Sequence, residues 1–163
     1  AKGGPLQSGG QAAFGWDRYG FGARHVDKEG KFLTKPLQFT ADIIPEDKLR
    51  FGLGIGAPKD IVRSVKMGWD MFDCVIPTRE ARHGKLYIKF QSININNAKF
   101  TKDFSPINAK SKLSELRVYS KAYLHHLFKT QEPLALRLAT LNNLEFYLAL
   151  MAKLRAGIKN NQI

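Results

Sequence analysis

The residues best placed to do chemistry together are one carboxylate and two guanidiniums within Trp69 to Arg82, WDMFDCVIPTREAR. Met71, Phe72, Cys74, Val75 and Ile76 form an apolar run of strand length, which Pro77 is expected to stop by withholding a ladder donor. Asp73 stands inside that run, where a bare buried carboxylate is costly or is forced to take up a proton. It is therefore either a capped or ion-paired strand aspartate or a working group. Arg79 and Arg82 follow the proline in a segment too polar to be core, and an anionic substrate held by them would lie within reach of Asp73.

Other reactive types carry less. Cys74 is the single cysteine, so an internal disulfide is ruled out, and its place in the apolar run reads as inert packing in a reducing compartment. His125 and His126 are neighbours in a helical stretch, about 100° apart around its axis, and cannot both ligate one metal; structural or RNA-facing roles are expected. Gly52, Gly54 and Gly56 are spaced one residue too closely for a dinucleotide fingerprint and read as a strand that lets a base plane pack against it.

The elements that must position these groups follow from periodicity. Residues 1–13 are rich in glycine, have no apolar period and read as a flexible lead-in. Phe14 to Gly22 predicts a short strand, Val26 to Lys35 a polar turn with Gly30 near its tip, and Pro36 to Ile44 a helix with Leu37, Ala41 and Ile44 on one face. Leu49 to Gly56 predicts the next strand. A helix opens near Pro58, turns Ile61, Val62, Val65 and Met67 inward and stops at Gly68. Lys85 to Phe90 and Ser92 to Phe100 read as a hairpin with a turn at Asn96 and Asn97. From Leu113 the pattern is helical. Tyr119, Tyr123, Leu124, Leu127 and Phe128 share one face, and a long helix from Pro133 lines up Leu134, Leu138, Leu141, Leu148, Met151, Leu154 and Ile158.

Strand and helix alternate at the spacing of an α/β chain, with charged residues gathered after strand ends, as in a (β/α)8 TIM barrel whose chemistry sits at the carboxyl face of its strands. A whole barrel takes about 250 residues, so 163 residues supply only its C-terminal part, with a hairpin insertion and C-terminal helices. The expected organisation is the lead-in over 1–13, a partial barrel carrying the chemistry over 14–108 and a helical subdomain over 109–163.

Lysine and arginine number 26 against 14 aspartate and glutamate, a net charge of +12, and ten of those twelve charges lie in residues 79–163. A polyanionic partner is expected there, the alternative being a lysine-rich soluble surface. No signal-peptide pattern and no apolar run long enough for a membrane span is present, so a cytoplasmic protein without a membrane partner is expected.

DMFDCVIPTREARHG resembles the signature of the tRNA-guanine transglycosylases, which exchange a guanine in tRNA for a queuine-type or archaeosine-type base. The similarity continues in family order through FTADIIPEDK, FGLGIGAPKDIV, NAKFTKDFSPI, YSKAYLHHLFK and LRLATLNNLEFYLALM. The resemblance implies Asp73 as the nucleophile at the ribose C1′, and Arg79 and Arg82 as readers of neighbouring anticodon-loop nucleotides. It implies backbone contacts to the purine from Gly22 and Ala23, where the family has Gly-Gly-Leu and this chain continues with Arg24. Leu53 takes the place of the side chain that stacks on the purine. It also implies a second catalytic carboxylate in the family's N-terminal half, and no candidate for it precedes Asp17.

The family's Cys-x-Cys-x-x-Cys and later His, a closed zinc site, fall on Ser111, Leu113, Leu116 and Asn142, none of which supplies a thiolate or imidazole. A zinc-less member with no metal or cofactor is expected, with an apolar contact between the leucines in the metal's place. The expected partners are tRNA and a purine-type base, with a homodimer or a missing N-terminal half as the protein partner. The first functional reading is base exchange through a covalent aspartyl-ribosyl intermediate. The alternative is a non-catalytic tRNA-binding subunit or an inactive fragment of such an enzyme.

Overall fold

The computed structural model describes residues 16–89 and 91–163. The lead-in over 1–13 and the first two residues of the strand expected from Phe14 lie outside the described residues. The chain divides into two compact units, one ending at Cys74 and the other beginning at Val75.

The first unit is a βαβαβ run: β1 (Arg18–Phe21), α1 (Thr34–Ile43), β2 (Leu49–Leu53), α2 (Pro58–Lys66) and β3 (Met71–Asp73). The strands are parallel and lie side by side in chain order. Parallel neighbours need a crossover, and α1 and α2 supply one each. α1 begins at Thr34, two residues before the helix expected from Pro36, while α2 begins as expected, with Pro58 in its first turn, where a missing N–H costs nothing. The core comprises Phe32, Leu37, Ala41, Ile44, Ile55, Ile61 and Trp69, all nearly sealed from solvent, and Phe21 meets the Trp69 ring edge-on at 5.8 Å. Arg50 stitches the layer together. Its guanidinium donates to the carbonyls of Ile44 at 2.8 Å and Gly68 at 3.3 Å, and its backbone N–H donates to the Asp70 carboxylate at 2.8 Å.

Two strands are shorter than their apolar runs. β2 ends at Leu53, and β3 ends at Asp73, so the strand expected to continue to Ile76 is instead three residues long. Pro77 accounts for the second: it lies in the first turn of the following helix and so draws Ile76 out of the sheet.

The second unit contains α3 (Ile76–Arg82), the antiparallel hairpin β4 (Lys85–Ile88) and β5 (Gln91–Asn94), a 3-10 turn at Ala98–Phe100, and helices α4 (Ser114–Val118), α5 (Lys121–Lys129) and α6 (Pro133–Lys159). One apolar cluster joins Ala81, Leu86, Ile95, Phe100, Ile107, Leu116, Leu124, Leu127, Ala135, Leu138 and Ala139. Hence α3, the hairpin and the C-terminal helices share a core. Tyr119 lies outside the helix expected to carry it, because Ser120 caps α5 by accepting from the Tyr123 N–H at 3.1 Å. Tyr119 and Tyr123 stack across that break with ring centroids 5.2 Å apart.

The phase of α6 also differs from expectation. Its buried stripe runs Ala135, Leu138, Ala139, Asn142, Asn143, Tyr147, Leu150, Leu154 and Gly157, while Leu148 is 71% exposed and Ile158 is 51% exposed. Leu138 and Leu154 are buried as expected and Leu134 and Leu141 pack against the cluster, so the departure lies at Leu148 and Ile158, while two amides join the buried face. Asn142 and Asn143 are both fully buried. Such amides persist in a core only when hydrogen-bonded, and both are.

Candidate functional site

In the first unit, register pairs Phe21 with Gly52 and Leu53 with Asp73. Gly22 and Ala23 therefore leave β1 at the same sheet edge at which Leu53 ends β2 and Asp73 ends β3. Carboxyl ends of adjacent parallel strands are where an α/β chain brings groups from separate segments together. All four residues are exposed, and Arg24 beyond them is exposed as well. Asp73 is thus not the buried strand carboxylate anticipated from its apolar neighbours, since the strand ends at it.

The carboxylate is held. Asp73 Oδ1 accepts a hydrogen bond from the Gly54 N–H at 2.9 Å. Gly54 has φ +74°, a conformation that glycine adopts without strain, and this turn immediately after β2 presents its N–H to the neighbouring strand end. Gly52, two residues earlier, is closely packed: a Cβ there would stand 2.8 Å from Ile55 Cδ1 and 3.4 Å from the Phe72 ring, so Ile55 would have to shift. Gly52 and Gly54 thus serve close approach and a turn, and α2 opens four residues beyond Gly54 at Pro58. An exposed carboxylate with one oxygen fixed by a backbone donor is oriented to attack an electrophilic carbon.

In the second unit, Arg79 and Arg82 stand three residues apart on the exposed side of α3, a spacing that makes them neighbours on a helix face. Arg79 lies 3.7 Å from Glu80 Oε1, while Glu80 Oε2 receives the Lys85 ammonium at 3.0 Å. That hydrogen bond holds the Lys85 pKa above the ordinary lysine value. Glu80 thus favours Lys85, and the Arg82 guanidinium forms no ion pair with any described residue. Both arginines are left with donors for an anion or a base edge.

The four positions that the resemblance aligns with zinc ligands have other work. Leu116 is fully buried in the apolar cluster, with Leu113 packed against it. Ser111 Oγ donates to Glu145 Oε2 at 2.5 Å and accepts from the Leu113 N–H at 3.0 Å. Asn142 donates to the Tyr87 carbonyl at 3.0 Å and accepts from the Asn108 amide at 3.5 Å. A core leucine, a half-buried leucine, a hydroxyl and an amide do not fit a tetrahedral zinc. Among the described residues no group of three or more His, Cys, Asp or Glu is placed to hold a metal ion. His125 is buried with Nδ1 2.7 Å from the Ile95 carbonyl and Nε2 3.5 Å from Thr101 Oγ1, so both ring nitrogens face protein; His126 is exposed.

Sequence reasoning missed the Gly54 donor and the role of Asn143. The signal for the first was a glycine just past a strand, and for the second a pair of amides interrupting a leucine-rich helix. Among the described residues no helix is long and apolar enough to cross a membrane.

The sequence was compared with known proteins. A family model described as Queuine tRNA-ribosyltransferase matches residues 9–163. A queuine tRNA-ribosyltransferase of Haemophilus ducreyi is 41% identical over 147 residues, covering 90% of this chain and 38% of that protein. Those of Halothermothrix orenii and Rickettsia typhi are each 40% identical, covering 91% and 90% of this chain and 40% of each relative. The chain therefore spans about two fifths of the length of the curated relatives it matches.

Proposed function

Because this chain belongs to the queuine tRNA-ribosyltransferase family, we propose that it carries the nucleophile-bearing part of a base exchange on tRNA. In this reading the three parallel strands are the C-terminal portion of a (β/α)8 barrel, residues 14–108 supply its chemistry, and residues 109–163 form a helical subdomain without zinc. The observation that supports it most is an exposed Asp73 at a strand's carboxyl end, with one oxygen fixed by Gly54.

The second carboxylate oxygen attacks C1′ of the target ribose. A C1′–O ester bond forms as the bond from C1′ to the ring nitrogen of guanine breaks, and that nitrogen takes a proton from the acid that the N-terminal half supplies in this proposal. A ring nitrogen of the incoming queuine-type base then attacks C1′ from the vacated side, loses its proton and releases the Asp73 carboxylate. Two displacements at one carbon give net retention, as in two-step carboxylate glycosidases. Leu53 packs on the purine plane, and the backbone at Gly22 and Ala23 borders it. Arg24, where the family has an aliphatic residue, adds a charge to that border and alters which base it accepts.

Arg79 and Arg82 read nucleotides beside the target. Arg79→Ala and Arg82→Ala each should weaken binding to a guanine-bearing anticodon stem–loop by roughly tenfold, about 1.4 kcal/mol. Binding to the same stem with a scrambled loop should change by about twofold or less, whereas removing lysines after residue 100 should weaken both RNAs uniformly and in a salt-sensitive way. Equal losses on both RNAs would reduce the arginines to phosphate contacts and favour the reading of a non-catalytic tRNA-binding subunit.

The subdomain holds no resident zinc in this proposal. The purified chain is expected to carry no stoichiometric zinc by elemental analysis, and a chelator should leave its melting temperature unchanged. One tightly held zinc per chain would overturn the assignment of Ser111, Leu113, Leu116 and Asn142 to the ligand positions.

A further inference from the structure

We propose that Asn143 is the positioning residue for the arginine-bearing segment: one buried amide brackets α3 and fixes the direction in which Arg79 and Arg82 are presented to RNA. The inference rests on the reading of those arginines given above.

Asn143 is fully buried on α6, and its side chain uses its whole hydrogen-bonding capacity. Nδ2 donates to the Pro77 carbonyl at 3.0 Å and to the Lys85 carbonyl at 2.9 Å. Oδ1 accepts from the Tyr87 N–H at 2.9 Å and from the Asn142 amide at 3.2 Å. Pro77 lies in the first turn of α3, and Lys85 opens β4 just past its end, so both arginines fall between the two carbonyls. Two hydrogens on one nitrogen have a fixed separation and angle. Holding both carbonyls therefore sets the pitch of the intervening seven-residue helix relative to α6.

The isolated propensity of so short a helix is marginal, and its first turn contains no acidic residue and no side-chain cap. Tertiary holds must supply the order. Ala81 supplies one, packed without exposure against the apolar cluster, but a methyl contact does not fix rotation about the helix axis. The Asn143 bonds do, because they are directional. Asn142 provides an internal comparison. It is equally buried and bonds Tyr87 and Asn108, yet makes no bond to α3.

The test uses the full chain and two RNAs, a guanine-bearing anticodon stem–loop and the same stem with its loop scrambled, with Kd measured well below each variant's melting temperature. Asn143→Ser should cut the preference for the native loop about tenfold, as Arg79→Ala does, while affinity for the scrambled loop stays within about twofold. Asn142→Ser should lower the melting temperature and keep the preference. The double variant Arg79→Ala, Asn143→Ser should lose no more preference than either single one, because both act on the same contact.

A lowered melting temperature with the preference intact in Asn143→Ser would overturn the inference and leave the reading of the arginines standing. No preference in the unsubstituted chain, or none lost in Arg79→Ala, would sink that reading and the inference with it. Should Asn143→Ser fail to fold, amide hydrogen exchange of the unsubstituted chain decides. The Tyr87 N–H and the amides of Arg79 to Arg82 should open together as one unit. Separate opening of α3 at a lower free energy would overturn the bracket.

Discussion

Asp73→Asn should abolish base exchange and the covalent protein–RNA adduct, a loss of at least about 10⁴-fold, while tRNA binding stays within about twofold. The substitution is nearly isosteric. Its amide oxygen can still accept from the Gly54 N–H, 2.9 Å from the present carboxylate oxygen, so the strand end keeps its geometry and loses only nucleophilicity. The assay supplies the remaining part of the enzyme as a separately expressed N-terminal half from a relative. In this proposal the carboxylate that manages protons on the leaving and entering bases comes from that half. Wild-type chain with the half should exchange labelled guanine and run as a slow adduct with labelled tRNA on a denaturing gel; wild-type chain without it should not exchange. An adduct that survives in the variant would remove Asp73 from the chemistry. Exchange by the 163-residue chain without the half would show that the proton work is done by one of its own residues.

The second large effect concerns stability. Leu116 is fully buried where the apolar cluster meets α4, and Leu116→Ala should cost about 2–5 kcal/mol, a large share of the ~5–15 kcal/mol available to a typical domain. Leu148→Ala, the same chemical change at a side chain 71% exposed, should stay within about 0.5 kcal/mol. Denaturant unfolding of the two variants, followed by the fluorescence and circular dichroism of the whole chain, measures the contrast. Comparable losses would mean that α6 buries its leucines in the phase suggested by the sequence. Leu116 also occupies a position that the family resemblance gives to a cysteine ligand. Leu116→Cys should therefore be destabilised as well and bind no zinc, because Ser111, Leu113 and Asn142 cannot complete a site.

That contrast shows where the fold was legible. Helices α1 and α2 and the first hairpin strand lie close to the positions implied by apolar period, proline and turn residues, because these signals act over a few neighbouring residues; the second strand, expected to reach Phe100, ends at Asn94. The buried face of α6 was misread because leucines outnumber the residues that pack closest. Leu138, Leu150 and Leu154 face the core while Leu148 is left exposed, and a run rich in leucine does not say which of them the partners will cover. The end of β3 was misread because an apolar run does not say which of its members leave the sheet, and Pro77 claimed Ile76 for α3. For the candidate site, Asp73, Arg79 and Arg82 stood out by type and spacing. Their supports did not, since Gly54 is 19 residues from Asp73 and Asn143 is 66 from Pro77. Hydrogen bonds across such separations follow from the fold and leave no local mark.

The partners of Asn143 beyond its own helix are all main-chain atoms: the carbonyls of Pro77 and Lys85 and the N–H of Tyr87. The bracket therefore does not depend on what side chains those three positions carry. The hydrogen bonds themselves ask only for a main-chain carbonyl at positions 77 and 85 and an N–H at 87, and of these only the last would be deleted by a substitution, to proline. Genetic drift is thus decoupled from geometry along the strand and helix that flank the arginines. The tolerance is one-sided, because at position 143 no other side chain has both an amide's two hydrogens and its oxygen at the same reach, and the codon there carries the constraint for the whole segment.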